Sequence, residues 1–406
     1  MTRPPPLPYP AGSAIVSPFR SDVNKPNIPA MTSIPRHITR QRLFATFMEL
    51  CAIDSEPGRE RQMADFLRER LTGLGCSVSE DRAGQPTNGN TGNLHARLEG
   101  SGPGEALFLS CHLDRVAPGT GVRPRIQGEY LVSDGTTVLG ADDGAGLAAI
   151  LEALTTIREH RIPHPTLEIV LTVAEELALA GVRHFDISRL EARSGFVLDA
   201  AGRVGQIVVQ APEKVNFRAV FHGRSAHAGF SPEQGISAIQ MAALAISRMR
   251  LLRIDPETTV NLGSISAQGA SNIVPEFCEL SGEIRSLDPA KVRAQLEAIE
   301  RAMESAATEL GGSTELRVTE RYPAYQLAEE TKAARRAARA ARRIGAPLLF
   351  TSTGGGSDAN IFNSRGRETV VLSCGYEHAH TTAERISLEQ LSLLAEWVLA
   401  LIVDDE

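Results

Sequence analysis

The sequence predicts an α/β protein in two parts, a sheet flanked by helices that is interrupted by a smaller α+β unit. Three observations predict it. The chain has 406 residues, more than one compact core usually holds, so two domains are expected. Four apolar runs read as strands buried on both faces, and each is followed at once by polar residues able to do chemistry. Between about residues 207 and 321 the texture changes to the order β-α-β-β-α-β, and the last of the four runs lies beyond that stretch.

Composition narrows the function. The chain is 42% apolar and 22% charged with a net charge of −7, ordinary for a globular protein and unfavourable for a nucleic-acid partner. No apolar run approaches the roughly 18 residues of a membrane helix. The five cysteines are scattered without paired spacing, which fits reduced thiols in a cytoplasm. Residues 1–36 hold nine prolines and no signal-peptide core. They read as a disordered tail, with Met31 an alternative start.

In chain order, Leu43, Phe44, Phe47, Met48 and Cys51 form a helical stripe, and Met63, Phe66, Leu67 and Leu71 form a second, stopped by Gly73 and Gly75. Residues 80–104 read as loop around a short strand near Leu94. The strand Ala106–Cys111 precedes His112 and Asp114. A turn with the paired acids Asp142 and Asp143 leads into a helix over Leu147–His160. The strand Leu167–Val173 precedes Glu175 and Glu176, Gly195–Leu198 precedes Asp199, and Thr369–Ser373 precedes His378 and His380. In open α/β sheets, sites lie at such C-terminal strand ends. The intervening unit reads as strand (207–221), helix (235–250), strands (258–266 and 277–286), helix (289–310) and strand (314–321). This ferredoxin-like order is inserted at 212–320 between catalytic segments 37–211 and 321–406. Residues 332–343 read as a helix whose Arg335, Arg336, Arg339, Arg342 and Arg343 form a solvated stripe, and 388–403 as a closing amphipathic helix.

Imidazoles and carboxylates without cysteine suit zinc, or else cobalt or manganese. Two such ions need a shared ligand, and a carboxylate with two oxygens can bridge them. Three ligating carboxylates and one hydroxide would cancel their four charges, which leaves the remaining acids for other work.

The ordered set His-x-Asp (His112, Asp114), Gly-x-Asp-Asp (Gly140 to Asp143), Glu175-Glu176, Asp199 and His380-x-x-x-Glu384 resembles the co-catalytic dizinc exopeptidases and amidohydrolases related to peptidase T, glutamate carboxypeptidase and aminoacylase. The stretch Thr351–Asp358 and Asp199 look most like the peptidase T-like branch. The resemblance implies a zinc-exopeptidase-like mixed sheet flanked by helices, with the insertion serving as a lid and dimerisation domain. It implies that His112 and Asp199 bind one Zn2+, Glu176 and His380 a second, and that Asp142 bridges, joined to Asp143 by a cis peptide. Asp114 would hydrogen-bond His112, and Glu175 would be the general base. It also selects His380 over His378 through the spacing to Glu384.

Within the insertion, Gly223–Gly229 resembles the segment whose histidine, here His227, reaches a dimer partner's site to stabilise an oxyanion. Asn272 and Arg285 look like positions that grip substrate, Arg285 through a bidentate fork, with a structural ion pair as its plainer reading. Gly354, Gly355 and Gly356 would let a ligand approach the backbone, or form a plain turn. Hinges are expected near 207–212 and 320–325. Gly144 departs from the family, where a basic residue follows the acid pair. The resemblance implies a dizinc aminopeptidase or tripeptidase acting on small peptides. A carboxypeptidase or an amidohydrolase acting on N-acyl amino acids is the alternative in the same chemistry, and a metal-binding scaffold without activity is the non-enzymatic one.

Overall fold

The computed structural model describes residues 37–404; the expectations for residues 1–36 and Met31 lie outside the described residues. A nine-stranded mixed sheet forms the larger unit. At its centre Leu167–Thr172, Leu107–His112, Ser194–Ala200 and Glu368–Ser373 lie side by side and parallel. Leu107, Leu109 and Cys111 point to one apolar core with Ile169, Leu171, Phe196 and Leu198. Phe108 points to the opposite core with Val170, Val197 and Val371. Burial on both faces is why these strands read as unbroken apolar runs.

The helix Ala141–His160 packs between the sheet and the helices Arg40–Ala52 and Leu388–Ile402. It is buried nearly all round, and its Ala, Gly and Leu residues permit that close approach. It begins six residues earlier than the sequence pattern indicates. Its first turn is kinked at Asp142 and Asp143, and the peptide between them is cis. Gly144 faces Phe47 and Cys51 of the first helix. A basic side chain at that position would therefore enter the helix interface rather than the sheet-end cluster.

The smaller unit is a five-stranded sheet in the spatial order Leu252–Asp255, Thr258–Ser266, Phe277–Ser286, Glu213–His222 and Ser313–Tyr322. The helices Ala238–Arg248 and Pro289–Leu310 cover one face through Val215, Phe217, Val260, Leu280 and Ile284. This is the expected β-α-β-β-α-β order with Leu252–Asp255 added at an edge.

Several elements differ from the sequence pattern. The strand expected over 207–221 is two strands, Gln206–Ala211 in the large sheet and Glu213–His222 in the small one, because Pro212 lacks the N–H a continuous ladder needs. Residues 77–98 hold two paired strands and a helical turn rather than mostly loop. Arg336 is not solvated. It is buried, and its guanidinium donates to the carbonyls of Leu401 and Ile402 that end the last helix, while Arg339 pairs with Asp404.

The two connections between the sheets run through Pro212 and Pro323. The buried Asn360 donates from Nδ2 to both of their carbonyls, at 3.1 and 2.8 Å, and its Oδ1 accepts from Ser357 N at 3.0 Å. One amide thus ties both connections to the helix Asp358–Ser364. Asn360→Ala leaves these groups without partners and is expected to cost at least about 1–3 kcal/mol, read as a lowered midpoint in urea unfolding. An unchanged midpoint would show that the connections do not depend on this amide.

Candidate metal centre

The strand ends Leu107–His112, Leu167–Thr172, Ser194–Ala200 and Glu368–Ser373 and the first turn of Ala141–His160 deliver their polar residues to one place. His112 Nε2 lies 3.1 Å from Asp142 Oδ1 and 3.8 Å from Asp199 Oδ1. His380 Nε2 lies 3.3 Å from Asp142 Oδ2 and 2.8 Å from Glu176 Oε1. The two oxygens of Asp142 therefore face different histidines. Donor atoms of His112, Asp142 and Asp199 group within 4.8 Å of one another, as do those of Asp142, Glu176 and His380, and those of His112, Glu175 and Glu176. His378 belongs to none of these groups.

These contacts decide the electrostatics. Burial works against an ionised Asp142, but hydrogen bonds from His112 and His380 outweigh it and hold its carboxyl below the usual range. Hydrogen bonds to Asp142 and Glu176 push His380 up to about 10. Burial pushes Asp199 well up, and the charge of Asp142 adds to this. Burial likewise pushes Glu175 well up, with Asp358, Glu176 and Asp114 adding to it against His112. Carboxylates this crowded call for countercharge. Among the described residues lining the cleft, the Arg and Lys side chains are Arg253 and Arg285, both on the smaller sheet. An imidazole and carboxylates in each group suit divalent cations of the zinc type, so the donor set fits a metal.

Buried groups behind the cluster set its geometry. His112 Nδ1 donates to the carbonyl of Asp114 at 2.8 Å, while the Asp114 carboxylate is 3.5 Å away. The expected side-chain contact is thus made chiefly by the backbone. The Asp114 carboxylate instead accepts the N–H groups of Glu175 (3.0 Å) and Glu176 (3.1 Å). Glu60, fully buried, accepts that of Ala174. Tyr376 donates its hydroxyl to Asp199 at 3.4 Å.

Glu384 has the widest reach. It is 2% exposed. Its Oε2 accepts the N–H groups of Leu139 (2.8 Å) and Gly140 (2.7 Å), and its Oε1 that of Asp142 (3.0 Å). Gly140 has φ +79°, and a Cβ there would stand 3.0 Å from the guanidinium carbon of buried Arg115, so the turn requires glycine. The family spacing singled out Glu384 only as a marker. Its acceptor role, like those of Glu60 and Tyr376, depends on partners far away in sequence, and no local signal reveals it.

The cluster forms one wall of a cleft of about 720 Å³. Arg285, Gly355 and Gly356 line it, and a Cβ at Gly356 would strike the Tyr322 ring at 2.4 Å. Arg285 also donates to Glu283 at 2.8 Å, so the ion pair and a place in the cleft hold together. His227 and Asn272 are exposed and do not line this cleft. They sit together on the smaller unit, where Ala228 N donates to the carbonyl of Asn272.

Fold and site together define a metal-dependent peptidase. The family model for the peptidase dimerisation domain of the M20 type matches residues 214–310, and that for peptidase family M28 matches residues 93–216. The aminopeptidase PepT of Bacillus cereus is 42% identical, covering 90% of this chain and 99% of that one with a TM-score of 0.84. A tripeptidase of Staphylococcus aureus is 40% identical, covering 90% and 98% with a TM-score of 0.87. The Bacillus subtilis protein YqjE is 41% identical over 90% of this chain and 98% of its own length. The chain belongs to the peptidase T-like branch of the M20 peptidases.

Glu384→Ala frees the turn that presents Asp142 and is expected to weaken Zn2+ or Co2+ binding roughly 10–100-fold. Isothermal titration calorimetry measures this, with circular dichroism as the folding control. Unchanged affinity would mean that the turn holds its shape without Glu384.

Proposed function

We propose that the chain is a dizinc aminopeptidase that releases the N-terminal residue of short peptides, tripeptides foremost. The observation that carries this is the placement of Asp142 with one oxygen toward His112 and the other toward His380, in a chain more than 40% identical to an aminopeptidase across 90% of its length. His112 and Asp199 would hold one metal, Glu176 and His380 the other, with Asp142 between them. A bound metal pair supplies a Lewis acid for the scissile carbonyl and a lowered pKa for attacking water; cobalt or manganese could serve in place of zinc.

The chain's own residues do the rest. Glu175 is the general base: its carboxylate takes a proton from the attacking water and returns it to the leaving amine. The Asp114 carboxylate, by holding the amides of Glu175 and Glu176, keeps base and ligand apart and oriented. Arg285 on the lid and the backbone at Gly355 and Gly356 on the larger unit grip the substrate from the two sides of the cleft, and Asn272 joins them when the lid closes at the connections tied by Asn360. Replacing Glu175 by Gln should lower kcat roughly 10²–10⁴-fold on metal-loaded protein. Metal content by mass spectrometry should stay near two ions per chain. Undiminished turnover removes Glu175 as base, and failure of the wild type to cleave any tripeptide removes the aminopeptidase reading.

His227 serves the site of a second copy. Its Nδ1 accepts the N–H groups of Gly229 and Phe230, both at 3.1 Å, so its proton sits on Nε2, ready to donate to an oxyanion. The dimerisation-domain match and exposed Phe230 and Ile273 beside it support a homodimer through the lid. Mixing inactive Glu175→Gln protein with inactive His227→Ala protein should restore activity, because a mixed dimer contains one site with both groups intact. No recovery after subunit exchange would confine His227 to its own chain.

A further inference from the structure

The smaller sheet turns its helix-free face to the cleft, and its register places a row of cations there. Arg253 is paired with Thr259, Thr259 with Arg285, Arg285 with Lys214, and Lys214 with Tyr322. Residues directly opposite in antiparallel strands project from the same face. The buried partners one position along, Val260, Ile284 and Val215, face the helices instead. Arg253, Thr259 and Arg285 all line the cleft, and Tyr322 packs against Gly356 at the far end of the row.

The charges in this row do not cancel. Glu283 is shared by Lys214 and Arg285, at 2.8 Å to each. Glu257 and Asp255 are both engaged by Lys291. Arg253 donates to the carbonyl of Pro256 at 3.3 Å, and among the described residues it forms no ion pair. Glu257 lines this face too, but Lys291 is its partner, so the wall opposite Asp142, Glu175, Glu176 and Asp199 keeps a surplus of guanidinium charge. Such a wall draws the carboxylates of a peptide toward it.

We propose that Arg253 is a specificity-determining residue that binds a second substrate carboxylate, distinct from the one gripped by Arg285, so that the enzyme prefers peptides with an acidic C-terminal residue. This rests on the aminopeptidase reading above. Arg253 and Arg285 stand two strand spacings apart, roughly 10 Å between Cα atoms. Their long side chains can close that span on one residue carrying both an α-carboxylate and a side-chain carboxylate. The fork of each guanidinium suits a carboxylate better than an amide. Leu287 beside them gives the aliphatic part of such a residue an apolar surface.

The test compares Leu-Gly-Glu with Leu-Gly-Gln, and Leu-Gly-Gly with Leu-Gly-Gly-Gly, on metal-loaded protein. In the wild type, kcat/KM should favour Glu over Gln on the order of tenfold, expressed mainly in KM. Arg253→Gln should bring that ratio to about one, while Arg253→Lys, which keeps the charge, should retain part of it. A preference for the tetrapeptide that vanishes in Arg253→Gln, with Glu and Gln cleaved alike, would make Arg253 the grip on the single main-chain carboxylate of a longer peptide and overturn the proposal. Cleavage of Leu-Gly-Gly with no preference in either comparison, or a Glu/Gln ratio equal in wild type and Arg253→Gln, overturns the proposal and leaves the aminopeptidase reading standing. Absence of any peptide cleavage overturns both.

Discussion

Asp142, Glu175, Glu176 and Asp199 crowd their carboxylates at one end of a sheet from which water is largely excluded, and each charge makes its neighbours harder to ionise. Burial and mutual repulsion push Asp199 and Glu175 well above the ordinary range. Asp142 escapes that fate only because two imidazoles address its two oxygens. A site of this kind stays folded only if its backbone is fixed by something other than the acids themselves. Left to relax, the carboxylates would move apart into solvent.

The fixing is done by a second tier of buried acids. Glu384 gathers three amides of the turn before Asp143, Asp114 the amides of Glu175 and Glu176, and Glu60 the amide of Ala174. Peptide N–H groups are the donors to these carboxylates and offset part of the cost of burial, which still pushes Glu60 and Glu384 above the ordinary range. A lysine or arginine in place of those N–H groups would have competed with a metal for the same oxygens. Arg115, a buried guanidinium close by, donates to the carbonyls of Leu50 and Cys51 and lies with its flat side to Gly140. Positive charge is thereby kept off the metal-facing atoms.

What could be read from the sequence follows from how local each feature is. The apolar runs and the polar residues after them were legible because a strand buried on both faces admits little else, and because the chain returns to the same sheet end each time. The break at Pro212 was not, since the alternation continues across it and only the missing N–H betrays the change of sheet. Arg336 reads as part of a solvated stripe until the carbonyls ending the last helix are brought to it. The helix Ala141–His160 hides its first turn, because Gly-Ala-Asp-Asp-Gly is also what a loop would contain. Glu384 acts on a turn 244 residues away. The order of residues can mark it, but only the fold shows what its oxygens hold.

The same logic reaches across the cleft. The catalytic wall concentrates negative charge because the proposed chemistry needs metal there, and the lid wall carries the compensating surplus without forming ion pairs to it. Had Arg253 and Arg285 reached the acids directly, they would have neutralised the cluster and left no place for a cation. Kept apart by a cleft the size of a short peptide, the two walls instead impose a direction on what lies between them. A peptide aligned with its N-terminal residue at the acids and its carboxylates at the guanidinium row satisfies both. The reverse alignment would set the ammonium against the unpaired guanidinium of Arg253 and leave the carboxylates without it. The charge of this row, as much as the shape of any pocket, therefore favours cleavage at the N-terminal end.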